Sequence, residues 1–326
     1  MVDDIYIAYL LSLITALCWG MSPLIMHSVL QQVGAVRAAQ WRMIYVFIIL
    51  SILVSINGAW DGFNIDEWHL YFLSGFVGIF LGDTALFESL RRLGPRRNTI
   101  IFSSNAAMTI IGAWIFLGEG LTYQALIGCI TISVGVVIAI IYGKRADLIH
   151  KWETVTPPLM LGVFIALFAA LCQAAGVLIT KPLLLSGGDA VMVSAVRVGV
   201  AAISLIVWSM GKEIIKGMLG KTESPNNTQK LKNKLSFIMH HLSPFKNISY
   251  QAHMRIFTSG ILAMGVGMPL LLYALKIGHA GMVATLSSTS PILILPLLWM
   301  ITGRRPAAGA WIGAIIAGVG CGLIFL

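Results

Sequence analysis

Charge is what this sequence has least of. Only 11% of its 326 residues are Asp, Glu, Lys or Arg, where a typical soluble domain carries about 25%. With so little polar surface, and a mean hydropathy of +0.88, water is not the main solvent for the fold. Reactive constellations are missing as well. The four cysteines, Cys18, Cys129, Cys172 and Cys321, all lie inside apolar runs without metal-site spacing. They read as small packing residues, and no disulfide framework is expected. No HExxH or GxSxG occurs, so a membrane-embedded hydrolase has no visible nucleophile or metal site. Gly220-Lys221-Thr222 matches only the end of a phosphate-binding loop. Ile215 stands where that motif needs its first Gly, and no strand precedes it, so ATP hydrolysis is not supported. His240, His241 and His253 lack a nearby Cys and a helical i, i+4 pair, and no metal or other cofactor is expected. The residues Met1 to Tyr6 hold two Asp and no Lys or Arg. That is the wrong charge for a signal peptide, so the first apolar run is expected to stay as a membrane helix.

What the chain does have is long apolar stretches, 58% of it being apolar. A transmembrane helix needs about 20 such residues, and ten runs qualify. They are approximately Ile5–His27, Arg37–Asn57, Trp68–Leu90, Asn98–Leu117 and Leu121–Tyr142, then Pro157–Lys181, Asp189–Met210, Ile256–Lys276, Ala280–Ile301 and Ala307–Leu326. Most connections are very short, which favours a bundle of antiparallel neighbours.

The runs repeat. NTIIFSSNAAMTIIGAWIFLGE (Asn98 to Glu119) has a second copy in MVATLSSTSPILILPLLWMITG (Met282 to Gly303), with Ser103 and Ser104 falling on Ser287 and Ser288. Leu17-Cys18 matches Leu171-Cys172, Arg42 matches Arg197, and Gly128 and Gly135 match Gly313 and Gly320. The expected fold is an all-α integral membrane protein of ten transmembrane helices in two five-helix repeats, residues 5–142 and 157–326. The second carries a basic insertion at 211–254. An odd number of helices per repeat sends the second copy through the membrane upside down. Inverted repeats of this kind recur in transporters, with the site near the midplane between the halves.

The net charge of +9 does not point to nucleic acid, because the basic residues sit between runs and not along one face. They are topology signals. Arg37, RRLGPRR (Arg91 to Arg97), Lys144, Arg145, Lys151, the Lys-rich 211–254 segment, Arg304 and Arg305 all fall on one side. The opposite side has Lys181 and Lys276 and is acidic at Asp3, Asp4, Asp61, Asp66, Glu67 and Glu119. The basic side is then cytoplasmic and both termini face outward, with the bacterial inner (plasma) membrane as the expected location. Within 211–254, SPNNTQ (Ser224 to Gln229) reads as loop. Leu231, Leu235, Ile238 and Leu242 lie at helical spacing among lysines. They fit either a basic amphipathic helix on anionic headgroups or a disordered loop.

Four ionisable residues lie within the runs: Arg42, Asp83, Glu88 and Arg197. Each costs about 2.5–3.5 kcal/mol to insert, so each marks a partner or a functional site. Arg42, Asp83 and Glu88 fall near one depth, which suggests a structural ion pair or a proton-coupling role. Arg197 has no intramembrane carboxylate left to pair with. It either meets an anionic group of a substrate in a central cavity or uses backbone carbonyls or Asp189. Ser103, Ser104, Asn105, Ser287, Ser288 and Thr289 supply uncharged polar groups, which either bond between helices or touch substrate. Pro269, Pro291 and Pro296 free backbone carbonyls. Trp19, Tyr45, Gln173 and Tyr273 either pack or line a pocket.

These residues carry a family likeness. ALCWG (Ala16 to Gly20), the Arg of the second and seventh runs, SLRRLGP (Ser89 to Pro95), ALKIGHAG (Ala274 to Gly281) and IFLGEGLT (Ile115 to Thr122) stand in a specific order. The chain resembles the drug/metabolite transporter superfamily, in its ten-helix EamA-type branch. The resemblance implies a basket in which runs 1–4 and 6–9 line a cavity while runs 5 and 10 are peripheral. It implies alternating access and movement of a small metabolite, often an amino acid. Two departures stand out. Thr302-Gly303-Arg304-Arg305 replaces the Leu-Gly-Glu turn, and the 211–254 insertion is long.

The expected function is secondary active transport of a small polar or amphipathic solute, with export favoured. Lipid and a small molecule are the expected partners, nucleic acid is not, and a homodimer is left open. The alternatives are a polytopic membrane enzyme, which would need acid or His clusters on nearly bare loops, and a non-transporting scaffold, which would need no polar cavity groups. The charge bias makes a direct prediction. A cysteine placed at residue 2 should react with an impermeant thiol reagent in intact cells, and resistance to it would reverse the topology.

Overall fold

The computed structural model describes residues 2–120, 122–142, 159–219, 248–290, 292–293, 299 and 307–325. No strand occurs among them. That follows from the solvent: in hydrocarbon every backbone N–H and C=O must be satisfied within its own segment, which a helix does. The helices are α1 (Val2–Val33), α2 (Ala35–Ile56), α3 (Trp68–Leu73), α4 (Gly82–Phe102), α5 (Asn105–Leu117), α6 (Tyr123–Tyr142), α7 (Leu159–Leu185), α8 (Ala190–Leu219), α9 (Tyr250–Gly260), α10 (Met268–Ile277), α11 (Ala280–Ser287) and α12 (Ala308–Phe325). Wide π-helical turns join α3 to α4 (Ser74–Leu81) and α9 to α10 (Ile261–Gly267).

Six described helices are long and apolar enough to cross a membrane: Asp4–Val33, Ala35–Ile56, Ile65–Gly94, Met160–Leu185, Ala190–Gly211 and Tyr250–Ile277. Asn105–Leu117, Leu126–Gly135 and Ala308–Gly320 are shorter apolar helices. The fourth run falls short because it is broken: α4 ends at Phe102, Ser103-Ser104 forms a turn, and α5 restarts at Asn105. The ninth run breaks likewise at Ser288-Thr289. Of the rest of that run, 291, 294–298, 300 and 301, with Pro291 and Pro296, lie outside the described residues, as do Lys144, Arg145, Lys151, 220–247, Arg304 and Arg305. Glycines with left-handed backbone make the sharp connections. Gly34 (φ 86) separates α1 from α2, and Gly94 (φ 76) kinks α4 where the third run gives way to the fourth. Ser89 donates to the Asn98 side chain across that kink (2.6 Å).

Packing interleaves the two sequence repeats. α1 lies against α9, α10, α11 and the second π segment. α7 lies against α4, α5 and the first π segment. α2 crosses α8, α5 meets α11, and α6 pairs with α12. Several of these contacts come in matching pairs: α1 with α9, α10 and α11 is answered by α7 with the first π segment, α4 and α5.

Close approach in lipid relies on small residues. At α6 and α12, a Cβ on Gly135 would stand 2.6 Å from the Ala317 nitrogen, and one on Gly320 would stand 2.7 Å from the Ile132 nitrogen. Gly318, on the same helix, has nothing nearby. Gly320→Ala should therefore lower the stability of the purified protein by about 1–3 kcal/mol through overpacking, read as a fall in thermal midpoint. Gly318→Ala, which shares the change in helix propensity but not the clash, should leave it unchanged or slightly raised.

Candidate functional site

Each long repeat puts an arginine one layer inside the bundle, and the two arginines have different surroundings. Arg42 on α2 is 3% exposed. Its Nη1 lies 3.4 Å from Asp83 Oδ2, and its guanidinium sits 4.9 Å over the Phe87 ring. Glu88 does not join them. Its carboxylate accepts from Arg91 Nε and Nη2 (2.9 and 2.7 Å) and from Arg92 Nε (2.6 Å). Five residues along a helix amount to a rotation of about 140° from Asp83, so one arginine cannot face both acids. Glu88 belongs to the arginine-rich turn that follows it.

Arg197 on α8 is equally buried but has no carboxylate within ion-pair distance among the described residues. Nη1 lies 3.6 Å from Met268 Sδ, Nη2 donates to the Ser74 carbonyl at 3.5 Å, and Nε has no partner. Asp189 does not compensate it, since its Oδ1 caps α8 by accepting the Val191 and Met192 N–H groups at 2.9 Å each. One sequence offset carries Ser74-Gly75 onto Ser259-Gly260, Asp83 onto Met268 and Glu88 onto Tyr273. Arg197 therefore meets a thioether where Arg42 meets an acid. The space for its head comes from glycine: Cβ atoms on Gly78 and Gly176 would stand 3.1 and 3.3 Å from Nη2. The guanidinium is enclosed at this crossing of α7, α8 and the first π segment rather than open to a cavity.

The other singled-out residues divide. Trp19 serves the fold. Its Nε1 donates to the Ala263 carbonyl (3.0 Å), Thr15 donates to Gly267 (3.3 Å), and Ser22 bonds Ser259 (2.7 Å). All three fasten α1 to the second π segment and its approach, where a wide turn disturbs the regular ladder. Tyr45 bonds His253 Nδ1 through its hydroxyl (2.8 Å) in a ring cluster with Trp41 and Phe257 between α2 and α9. Gln173 on α7, at the position matching Trp19, is half-buried and makes no hydrogen bond among the described residues. Tyr273 is half-exposed on α10.

The serine patches meet at the two helix breaks. Ser288 Oγ donates to Ala284 O (2.8 Å) and to Asn105 Oδ1 (3.5 Å), while Asn105 Nδ2 donates to Phe102 O (2.6 Å). Ser287 Oγ is spent on Ala284 O. The hydrogen bonds also correct the register. Ser104 N→Ile101 O is matched by Thr289 N→Leu286 O, and Asn105→Phe102 O by Ser290→Ser287 O. Ser103-Ser104 thus corresponds to Ser288-Thr289, one residue later than the serine pairs alone indicate.

One charged cluster escaped the sequence reading. Lys181 and Glu119, which the charge pattern sets only on the side opposite the basic one, approach to 3.6 Å with side chains 8% and 11% exposed. Lys181 Nζ donates to the Leu275 and Gly278 carbonyls. Glu119 Oε2 accepts the Ala280 N–H at 2.6 Å. The available signal was that each charge adjoins a helix end otherwise devoid of charge.

A family model for the EamA-like transporter family matches residues 6–141 and 160–326. Among solved structures, the chain is similar to a protein crystal structure at a TM-score of 0.69 and 15% identity, covering 97% of this chain and 95% of that one. That likeness shows a shared fold. No curated protein matches the chain.

Stability should separate the two arginines. Arg42→Met leaves Asp83 as an uncompensated buried acid, and breaking a buried pair in this way costs about 3–5 kcal/mol. Arg197→Met removes a buried charge that has no counter-ion, so the thermal midpoint should hold or rise. Met268→Asp should raise it by supplying the missing acid.

Proposed function

We infer that this chain, which belongs to the EamA-like transporter family, is a secondary active transporter that moves a small metabolite across the cytoplasmic membrane by alternating access. Membership makes it an integral membrane protein of the drug/metabolite transporter type. The finer reading is two inverted five-helix repeats, 5–142 and 157–326, with both termini outside and export as the direction. Support for the repeats comes from the interleaved packing, in which several contacts have a matching contact elsewhere in the bundle. Support for the orientation comes from the charge bias alone.

One observation carries the choice of solute. Arg197 is a buried guanidinium with no carboxylate beside it, at the position where its counterpart Arg42 has Asp83. A fixed cation without a counter-ion in a low-dielectric setting favours a ligand that brings an anion, and guanidinium binds carboxylate through two parallel hydrogen bonds. In this reading Arg197 receives the carboxylate of an amino acid or similar solute when the helices part. Gln173, one turn from Gly176, supplies amide groups, and Asn105 and Ser288 supply polar groups at the helix breaks. Trp19 and Ser287 hold the walls, while Tyr45 and Tyr273 border the pathway. Arg42 and Asp83 form a structural pair.

Untargeted metabolite analysis of the medium around cells producing the wild type or Arg197→Gln tests this. The expected result is a compound enriched by the wild type and reduced about tenfold or more in the variant, the loss of one charged hydrogen-bonding partner. Equal enrichment by both proteins removes Arg197 from the site. Enrichment by neither overturns export, and uptake into vesicles then decides for import.

A further inference from the structure

Outside the arginine site, Lys181 and Glu119 form a largely buried charged corner. Lys181 stands in the last turns of α7, before Pro182. Its ammonium reaches two carbonyls at the C-terminal end of α10, Leu275 and Gly278. Glu119 follows α5 and accepts the N–H of Ala280, the first residue of α11. The exposed His279 has Nδ1 3.9 Å from the same carboxylate oxygen. Helix ends leave carbonyls and N–H groups without intrahelical partners, and the dipole favours a cation at the C-terminus and an anion at the N-terminus. Both preferences are met here by one ion pair. The pair ties four helices, α5 from the first repeat and α7, α10 and α11 from the second. Small residues bring these helices close to one another and to α1: a Cβ on Gly278 would meet Ala8 of α1, and one on Gly281 would meet Ile110 of α5.

The sequence counterparts of the two charges differ in kind. The sequence offset between the first and sixth runs carries Lys181 back to His27. The offset between the third and eighth runs carries Glu119 forward to Arg304. A guanidinium has no acceptor for a helix N-terminal N–H, so the sequence counterpart of Glu119 does not supply the acid half of the arrangement.

We propose that Lys181 and Glu119 form a latch across the pathway at the end bearing Glu119, and that this latch holds the resting protein closed at that end. This rests on the transporter reading. With the basic side cytoplasmic, it sets an exporter to load from inside. The latch must break in each cycle. Glu119 then leaves the Ala280 N–H, and Lys181 leaves two carbonyls.

A solute-free test uses thiol labelling. A reporter, Ala284→Cys, is placed one turn into α11 in full-length protein whose native cysteines are replaced by alanine. Its reaction with a membrane-impermeant maleimide is followed in intact cells and in inside-out vesicles. Glu119→Gln keeps an acceptor for Ala280 while removing the charge, and Lys181→Met removes the other partner. Both should raise the labelling rate about tenfold or more on one membrane side, and that side identifies the end the latch closes. Asp61→Asn, at an exposed acid, should leave the rate at the wild-type value. Unchanged labelling in Glu119→Gln and Lys181→Met, with or without a lower thermal midpoint, overturns the latch and leaves the pair as a packing contact. Labelling does not depend on solute, so a failed latch is distinguishable from a failed transporter assignment, which the metabolite comparison decides separately.

Discussion

The absence of water around most of this backbone governs the rest of the structure. In hydrocarbon an unpaired peptide group costs several kcal/mol, so any departure from regular helix must be repaired nearby. The bundle contains several such departures: two π segments, two broken helices at Ser103-Ser104 and Ser288-Thr289, and a kink at Gly94. Many of the polar side chains within the runs repair them. Thr15 and Trp19 bond carbonyls of the second π segment, Ser104 and Thr289 bond back one turn at the breaks, and Ser89 reaches Asn98 across the kink.

Against that background Arg197 stands apart. Its cation is as buried as that of Arg42, yet it has a sulfur and one long carbonyl contact for partners. A fold selected for stability alone would place an apolar residue there or an acid beside it. Glycines on two other helices leave the space that its head occupies.

Runs that match in sequence are similar in packing and unlike in chemistry. Asp83 has become Met268, Gln173 stands where Trp19 does, and Glu119 has Arg304 as its counterpart. Matched runs thus share contacts while carrying different polar groups.

The sequence by itself determined the class of fold and the family. Long apolar runs, charge at their ends and motifs repeated in order are local properties, and the hydrocarbon constraint turns them into helices whatever their neighbours. It also marked Arg42, Arg197 and the serine patches, because a polar group in an apolar run is conspicuous in one dimension. Tertiary structure decided who meets whom. The pairing of Arg42 with Asp83 and not Glu88 is a matter of helical rotation. The one-residue shift between the serine breaks comes from hydrogen bonds that spacing does not encode. The corner of Lys181 and Glu119 joins the ends of four helices far apart in sequence, so each charge read alone looks like a loop residue.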